Sequence, residues 1–90
     1  LSAYGVGGVH RHTPEIVQNL SAVAGRSVEV SFTPVLAPLP RGILASCSAP
    51  TSASAGEVRE AYVKAFDDEP FVHLLPEGVW PTTAATLGAN

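Results

Sequence analysis

His10-Arg11-His12 stands directly before Thr13-Pro14-Glu15, and these are the residues in the chain best suited to chemistry. Imidazole titrates nearest neutrality, so paired histidines can move protons, and a guanidinium fork matches a carboxylate or phosphate. A helix opening just behind them favours anions as well. Two histidines two residues apart could also face a metal. Two ligands are too few for zinc, however, and no Cys, Asp or Glu at suitable spacing completes the set, so we assign no metal. The competing reading is a polar turn that only caps a helix.

Other candidates carry less. Arg41 is one of only five Lys and Arg residues, and it joins a proline-rich connection to a strand. It either decorates the surface or aims at an anionic group from the strand end. Cys47 alternates with Ile43 and Ala45 and reads as a buried structural thiol rather than a nucleophile. His73, between Val72 and Leu74, reads as a structural strand histidine. Asp67-Asp68-Glu69 reads as a solvated acidic turn. Gly5-x-Gly7-Gly8 has no preceding strand and no phosphate-binding pattern around it, so it is not taken as a nucleotide loop.

The elements that must hold these residues follow from periodicity and end signals. Thr13 as N-cap, Pro14 at the first helical position and Glu15 in the first turn open a helix. Ile16, Leu20, Val23 and Ala24 recur at helical spacing, and Gly25 suits the left-handed closing position. The predicted helix covers 14–24. Residues 28–33 alternate, which predicts a strand with Val28, Val30 and Phe32 inward. Pro34, Pro38 and Pro40 make the next stretch an exposed connection, and 41–49 predicts a second strand. The small-residue loop 51–56 offers Ser52 and Ser54 as caps for a helix over 57–66, with Glu57, Arg59, Glu60 and Lys64 outward. Residues 71–75 predict a third strand, and 83–89 the start of a fourth.

The resulting fold class is α+β: two helices packed on a mixed, largely antiparallel sheet. Ninety residues make a single domain over 1–90 with a thin core. Hydrophobic residues make up 46% and charged residues only 14%, which leaves apolar surface uncovered and predicts self-association. A net charge of −3 with so few cations argues against nucleic-acid binding. No apolar run is long enough to span a membrane. One cysteine excludes an internal disulfide framework and suits a reducing compartment. The first residue is Leu1 and no basic leader precedes an apolar run, so the chain reads as a segment cut from a longer protein.

Taken together, several blocks resemble the N-acetyl-γ-glutamyl-phosphate reductase family of arginine biosynthesis. They are His10-Arg11-His12-Thr13-Pro14-Glu15-Ile16, Phe32-Thr33-Pro34, Pro38-x-x-Arg41-Gly42-Ile43-Leu44, Pro76-Glu77-Gly78, Pro81-x-Thr83 and Leu87-Gly88-x-Asn90. Gly88-Ala89-Asn90 stands where the family usually has Gly-Ser-Asn, and Val35 where a polar residue is common. The resemblance implies part of the second, α+β domain, like that of glyceraldehyde-3-phosphate dehydrogenase. A Rossmann NADP-binding domain and the nucleophilic cysteine would lie upstream, outside this chain, and Cys47 does not align with that cysteine.

The implied reaction is cytoplasmic reduction of an acyl phosphate, a small-molecule substrate, with NADPH and release of phosphate. His10 and His12 are the implied acid/base candidates. The sequence does not separate them, although the helix mouth favours His12. Arg11 and Arg41 would bind substrate oxygens, while Gly88 and Asn90 would approach a cofactor bound mainly by the absent domain. The alternative is a non-enzymatic interaction or oligomerisation module, or a decayed homologue, in which the histidines only cap a helix.

Overall fold

Pro14 and Gly25 set the ends of the first helix, as their backbone preferences require. The computed structural model describes residues 1–89, and helix α1 runs Thr13–Ala24 with Pro14 in its first turn. Gly25 closes it at φ 65° and donates its N–H to the Ala22 carbonyl at 3.4 Å. Position N-cap falls on His12, one residue before the predicted Thr13, and no side chain caps the end. The Thr13 hydroxyl is instead turned inward without a hydrogen-bond partner. Ile16, Val17 and Ser21 are half-buried, whereas Leu20, Val23 and Ala24 of the predicted apolar stripe are exposed.

The described chain divides into two compact units, Leu1–Leu39 and Pro40–Asn90. The first holds a two-stranded antiparallel pair, β1 (Ser2–Ala3) and β2 (Val35–Leu36), with Ser2 opposite Leu36 and Ala3 opposite Val35. Residues 28–33 do not form the predicted strand. Their alternation is nonetheless visible, with Val28, Val30 and Phe32 half-buried and Glu29, Ser31 and Thr33 exposed. A period of two dictates which side chains turn inward, but a strand also needs a neighbouring chain to bond with. This segment instead ties to α1, the Val28 N–H donating to the Ser21 hydroxyl at 3.0 Å.

The second unit is built around α2 (Ala55–Phe66). Ser54 is its N-cap in a complete capping box. The Glu57 N–H donates to the Ser54 hydroxyl at 3.3 Å, and the Ser54 N–H donates to the Glu57 carboxylate at 2.7 Å. Tyr62 and Phe66 meet one turn apart on the same face, ring centres 6.1 Å apart. Arg59, expected outside, is half-buried and donates from Nη1 to the Leu75 carbonyl at 2.9 Å, tying the helix to half-buried Leu74 and Leu75.

The remaining predicted strands are absent. Residues 41–49 and 71–75 have no ladder partner, and Ile43 is 91% exposed. Where 83–89 was expected to begin a strand, Thr83–Thr86 forms a short 3-10 helix. The Thr82 hydroxyl accepts from the Ala85 N–H at 3.3 Å, a local side-chain bond that competes with extended backbone. The outcome is α+β in content, with two helices and one two-residue antiparallel pair rather than helices laid on a four-stranded sheet. Among the described residues no side chain is fully buried.

Candidate functional site

The first unit builds its polar site from the β pair upward. The Tyr4 N–H donates to the Pro34 carbonyl at 3.2 Å, extending the β1–β2 pairing by one bond and holding Tyr4 near the Phe32 segment. The chain then turns through Gly5, Gly7 and Gly8, all at positive φ. Gly5 matters twice. At φ 57° it adopts a conformation that other residues resist. A Cβ there would also stand 2.9 Å from both Cβ and Cδ2 of His10. The turn returns His10 to the β pair, where its ring lies edge-on to Tyr4 at 5.3 Å and to Phe32 at 5.2 Å.

His10 also organises the start of α1. Its carbonyl accepts the Thr13 N–H at 3.0 Å, and its Nδ1 accepts the His12 N–H at 3.2 Å. A neutral imidazole that accepts at Nδ1 carries its proton on Nε2. The His12 ring stands 5.0 Å from that of His10 at an interplanar angle of 72°. His10 is half-buried, while His12 and Arg11 are exposed. His12 borders a shallow depression on the first turn of α1, shared with Glu15, Ile16 and Asn19.

His10, Arg11 and His12 are thus brought together. Arg41 and Gly88 belong to the second unit, where both are exposed. Gly88 has φ 79° and open space around it, and Asn90 lies outside the described residues. Cys47 is exposed rather than buried, because the strand that would have turned it inward does not form. His73 is exposed for the same reason. Asp67 is the C-cap of α2 and Asp68 and Glu69 come after it in exposed turn, as a solvated acidic end requires. Among the described residues no group of three or more His, Cys, Asp or Glu side chains stands close enough to hold a metal ion.

Sequence reasoning missed Tyr4 and Gly5 as parts of the site. The available signal was the run Tyr4-Gly5-Val6-Gly7-Gly8 just before the histidines, since a glycine-rich turn lets backbone and ring approach closely. The Ser54 N–H, and then its hydroxyl, hold the Glu57 carboxyl below the usual glutamate range.

The candidate site is thus a pair of histidines flanking an arginine at a helix mouth, in a unit that contains no cysteine. The chain belongs to the family described as semialdehyde dehydrogenase, dimerisation domain, whose model matches residues 1–90. Its whole length is 71% identical to 27% of an N-acetyl-gamma-glutamyl-phosphate reductase of Thermobifida fusca. It is 67% identical to the same share of the reductase so named in Streptomyces avermitilis. For that of Mycobacterium avium the identity is 58%, over 98% of this chain and 25% of the relative. The chain therefore spans about a quarter of the length of the curated relatives it matches.

Proposed function

We propose that this chain is part of the second, α+β domain of an NADP-dependent N-acetyl-γ-glutamyl-phosphate reductase, a domain of the glyceraldehyde-3-phosphate dehydrogenase type. The observation that carries this reading is identity of 58% to 71% with reductases of that name across almost the whole chain. The substrate would be a soluble acyl phosphate and the compartment the cytoplasm. No helix among the described residues is long and apolar enough to cross a membrane.

The nucleophile is a cysteine outside these residues. Its thiolate attacks the acyl carbon and phosphate leaves with the electrons of the broken C–O bond. The resulting thioester is reduced by hydride to a thiohemiacetal, which expels the thiolate as the aldehyde forms. His12 is the acid/base group, with His10 as the neighbouring candidate. It takes the thiol proton, protonates the oxyanion as hydride arrives and removes that proton again on collapse. Arg11 and Arg41 hold carboxylate or phosphate oxygens through charge-assisted bonds.

Contrary to the sequence expectation, a short strand, β1, does precede the Gly5–Gly8 turn and α1, but it pairs antiparallel with β2 rather than in the parallel unit of a dinucleotide fold, so the cofactor is assigned mainly to a domain outside these residues. Gly88, exposed and without a side chain, fits an edge contact with the cofactor, and Asn90 is the second cofactor-facing candidate that the resemblance implies. When bound by the rest of the protein, NADPH supplies the hydride. The chain also contributes to self-association, in keeping with the family's description as a dimerisation domain and with exposed Ile43 and Trp80.

The test is NADPH oxidation by the full-length protein given N-acetyl-γ-glutamyl phosphate, with phosphate released in step. Absence of turnover in a folded, cofactor-binding full-length protein overturns the assignment and leaves the self-association module. Residues 1–90 alone should oxidise no NADPH, because the nucleophile and the dinucleotide site lie outside them.

A further inference from the structure

We propose that His10 is a positioning residue for His12, acting through its ring nitrogen, and that Tyr4, Phe32 and Gly5 hold it in the one orientation that does so. The inference rests on the reading of His12 as the acid/base group.

Three observations converge. First, His10 Nδ1 accepts the His12 backbone N–H at 3.2 Å. This bond fixes the backbone that carries the His12 side chain, at the position where α1 has no side-chain cap. Second, the His10 ring is gripped edge-on by Tyr4 and Phe32, at 5.3 Å and 5.2 Å, on two segments joined by the Tyr4 N–H to Pro34 carbonyl bond. Edge-to-face contacts of this kind select orientation as well as adding burial. Third, Gly5 approaches so closely that a Cβ would collide with His10 at 2.9 Å. A ring used only to fill space would not need its Nδ1 aimed at the next residue but one. A ring that itself exchanged protons with substrate would be better served by the exposure that His12 has.

The geometry fixes the tautomer. With Nδ1 accepting, the neutral imidazole bears its proton on Nε2. The hydrogen bond between the two residues is made by the His12 main-chain N–H, and their rings meet edge-on, centres 5.0 Å apart.

The experiment uses the full-length reductase and three substitutions. His10→Ala removes the acceptor and should lower kcat by about tenfold to a hundredfold, the effect of a reacting group displaced by about an ångström. KM for the acyl phosphate should stay within about twofold, because substrate binding is not what the bond controls. His10→Asn places an amide oxygen where Nδ1 stood, and should recover most of that loss. Gly5→Ala, which pushes on the His10 ring, should lower kcat as His10→Ala does.

In His10→Asn the pH profile of kcat should keep the limb that His12 titration produces. If His10→Asn is as impaired as His10→Ala and has lost that limb, His10 is itself the acid/base group and the positioning role is overturned. Normal kcat in His10→Ala overturns it as well. Should His12→Ala alone prove fully active, the acid/base reading fails, separately from the geometry of His10. That geometry has its own readout in histidine-selective 15N spectra of the unmutated enzyme, at a pH where the imidazole is neutral. A bare Nδ1 and a protonated Nε2 are expected for His10, and a proton on Nδ1 overturns the proposal even if no variant folds.

Discussion

The two helices of this chain are equally long, yet they begin in opposite ways. Helix α2 opens on Ser54 with both bonds of a capping box made. Helix α1 opens on His12, whose side chain caps nothing, and the Thr13 hydroxyl beside it has no partner. The sequence offers ordinary caps, and the first helix does not use one at its N-cap position. Local rules are most often broken where a site needs the residue for something else. The α2 start is a capping device made by Ser54 and Glu57 on adjacent backbone. The α1 start leaves an imidazole exposed at the positive end of a helix, held by a second imidazole rather than by a serine.

Mutations at the two starts should therefore separate activity from stability, and the largest effect is expected at His12. If the proposed function holds, His12→Ala in the full-length protein should lower kcat by about a hundredfold to ten-thousandfold, the range of a lost general acid/base. KM should change little, and melting temperature should hardly move, since no capping bond is lost. Steady-state kinetics and thermal melting measure both. A variant that melts earlier but turns over normally would make α1 no different from α2.

Next in size are the arginines. Arg11→Ala and Arg41→Ala each remove a cation proposed to meet an anionic oxygen, so KM should rise by about tenfold to a hundredfold with a smaller change in kcat. The comparison sharpens if Arg11, beside the histidines, affects kcat more than Arg41 does.

Ser54→Ala gives the converse result. Removing the cap should destabilise the protein by about 1 kcal/mol in chemical denaturation. Turnover per folded molecule should be unchanged, and a loss of kcat would give the α2 start a role in the site.

The smallest effect is one of pH. Because Glu57 is held below the ordinary glutamate value when folded, its contribution to stability is full above that value, about 4.3. It is lost as pH falls through the lower folded-state value. Melting temperatures of the unmutated protein and Glu57→Gln, tracked from pH 7 to pH 3, should converge towards the acid end. A constant difference would mean that the carboxylate is not the group responsible.

Sequence reasoning found the helices within a residue or two, and for physical reasons. Pro14, Gly25, Ser54 and Glu57 act on backbone atoms next to them in the chain, so their signals are complete within a few residues. The pairing of His10 with His12 was equally legible, although the division of roles between them was not. The division proposed above rests on contacts with Tyr4, Gly5 and Phe32, and Phe32 lies 22 positions beyond His10. Alternation over 28–33 correctly marked which side chains turn inward, as the half-burial of Val28, Val30 and Phe32 shows.

What the sequence determined by itself was local: two helices with their ends, the alternation of one extended segment, the candidate site at His10-Arg11-His12, and the reductase family that those motifs resemble. The tertiary structure decided which segments become strands, because a ladder needs a partner that alternation cannot name. It turned Cys47 outward and Arg59 onto the Leu75 carbonyl. It also placed the His10 ring between two aromatic side chains with Nδ1 aimed at the His12 N–H. Such orientations depend on close approach between residues distant in the chain, and composition and spacing carry no record of that distance.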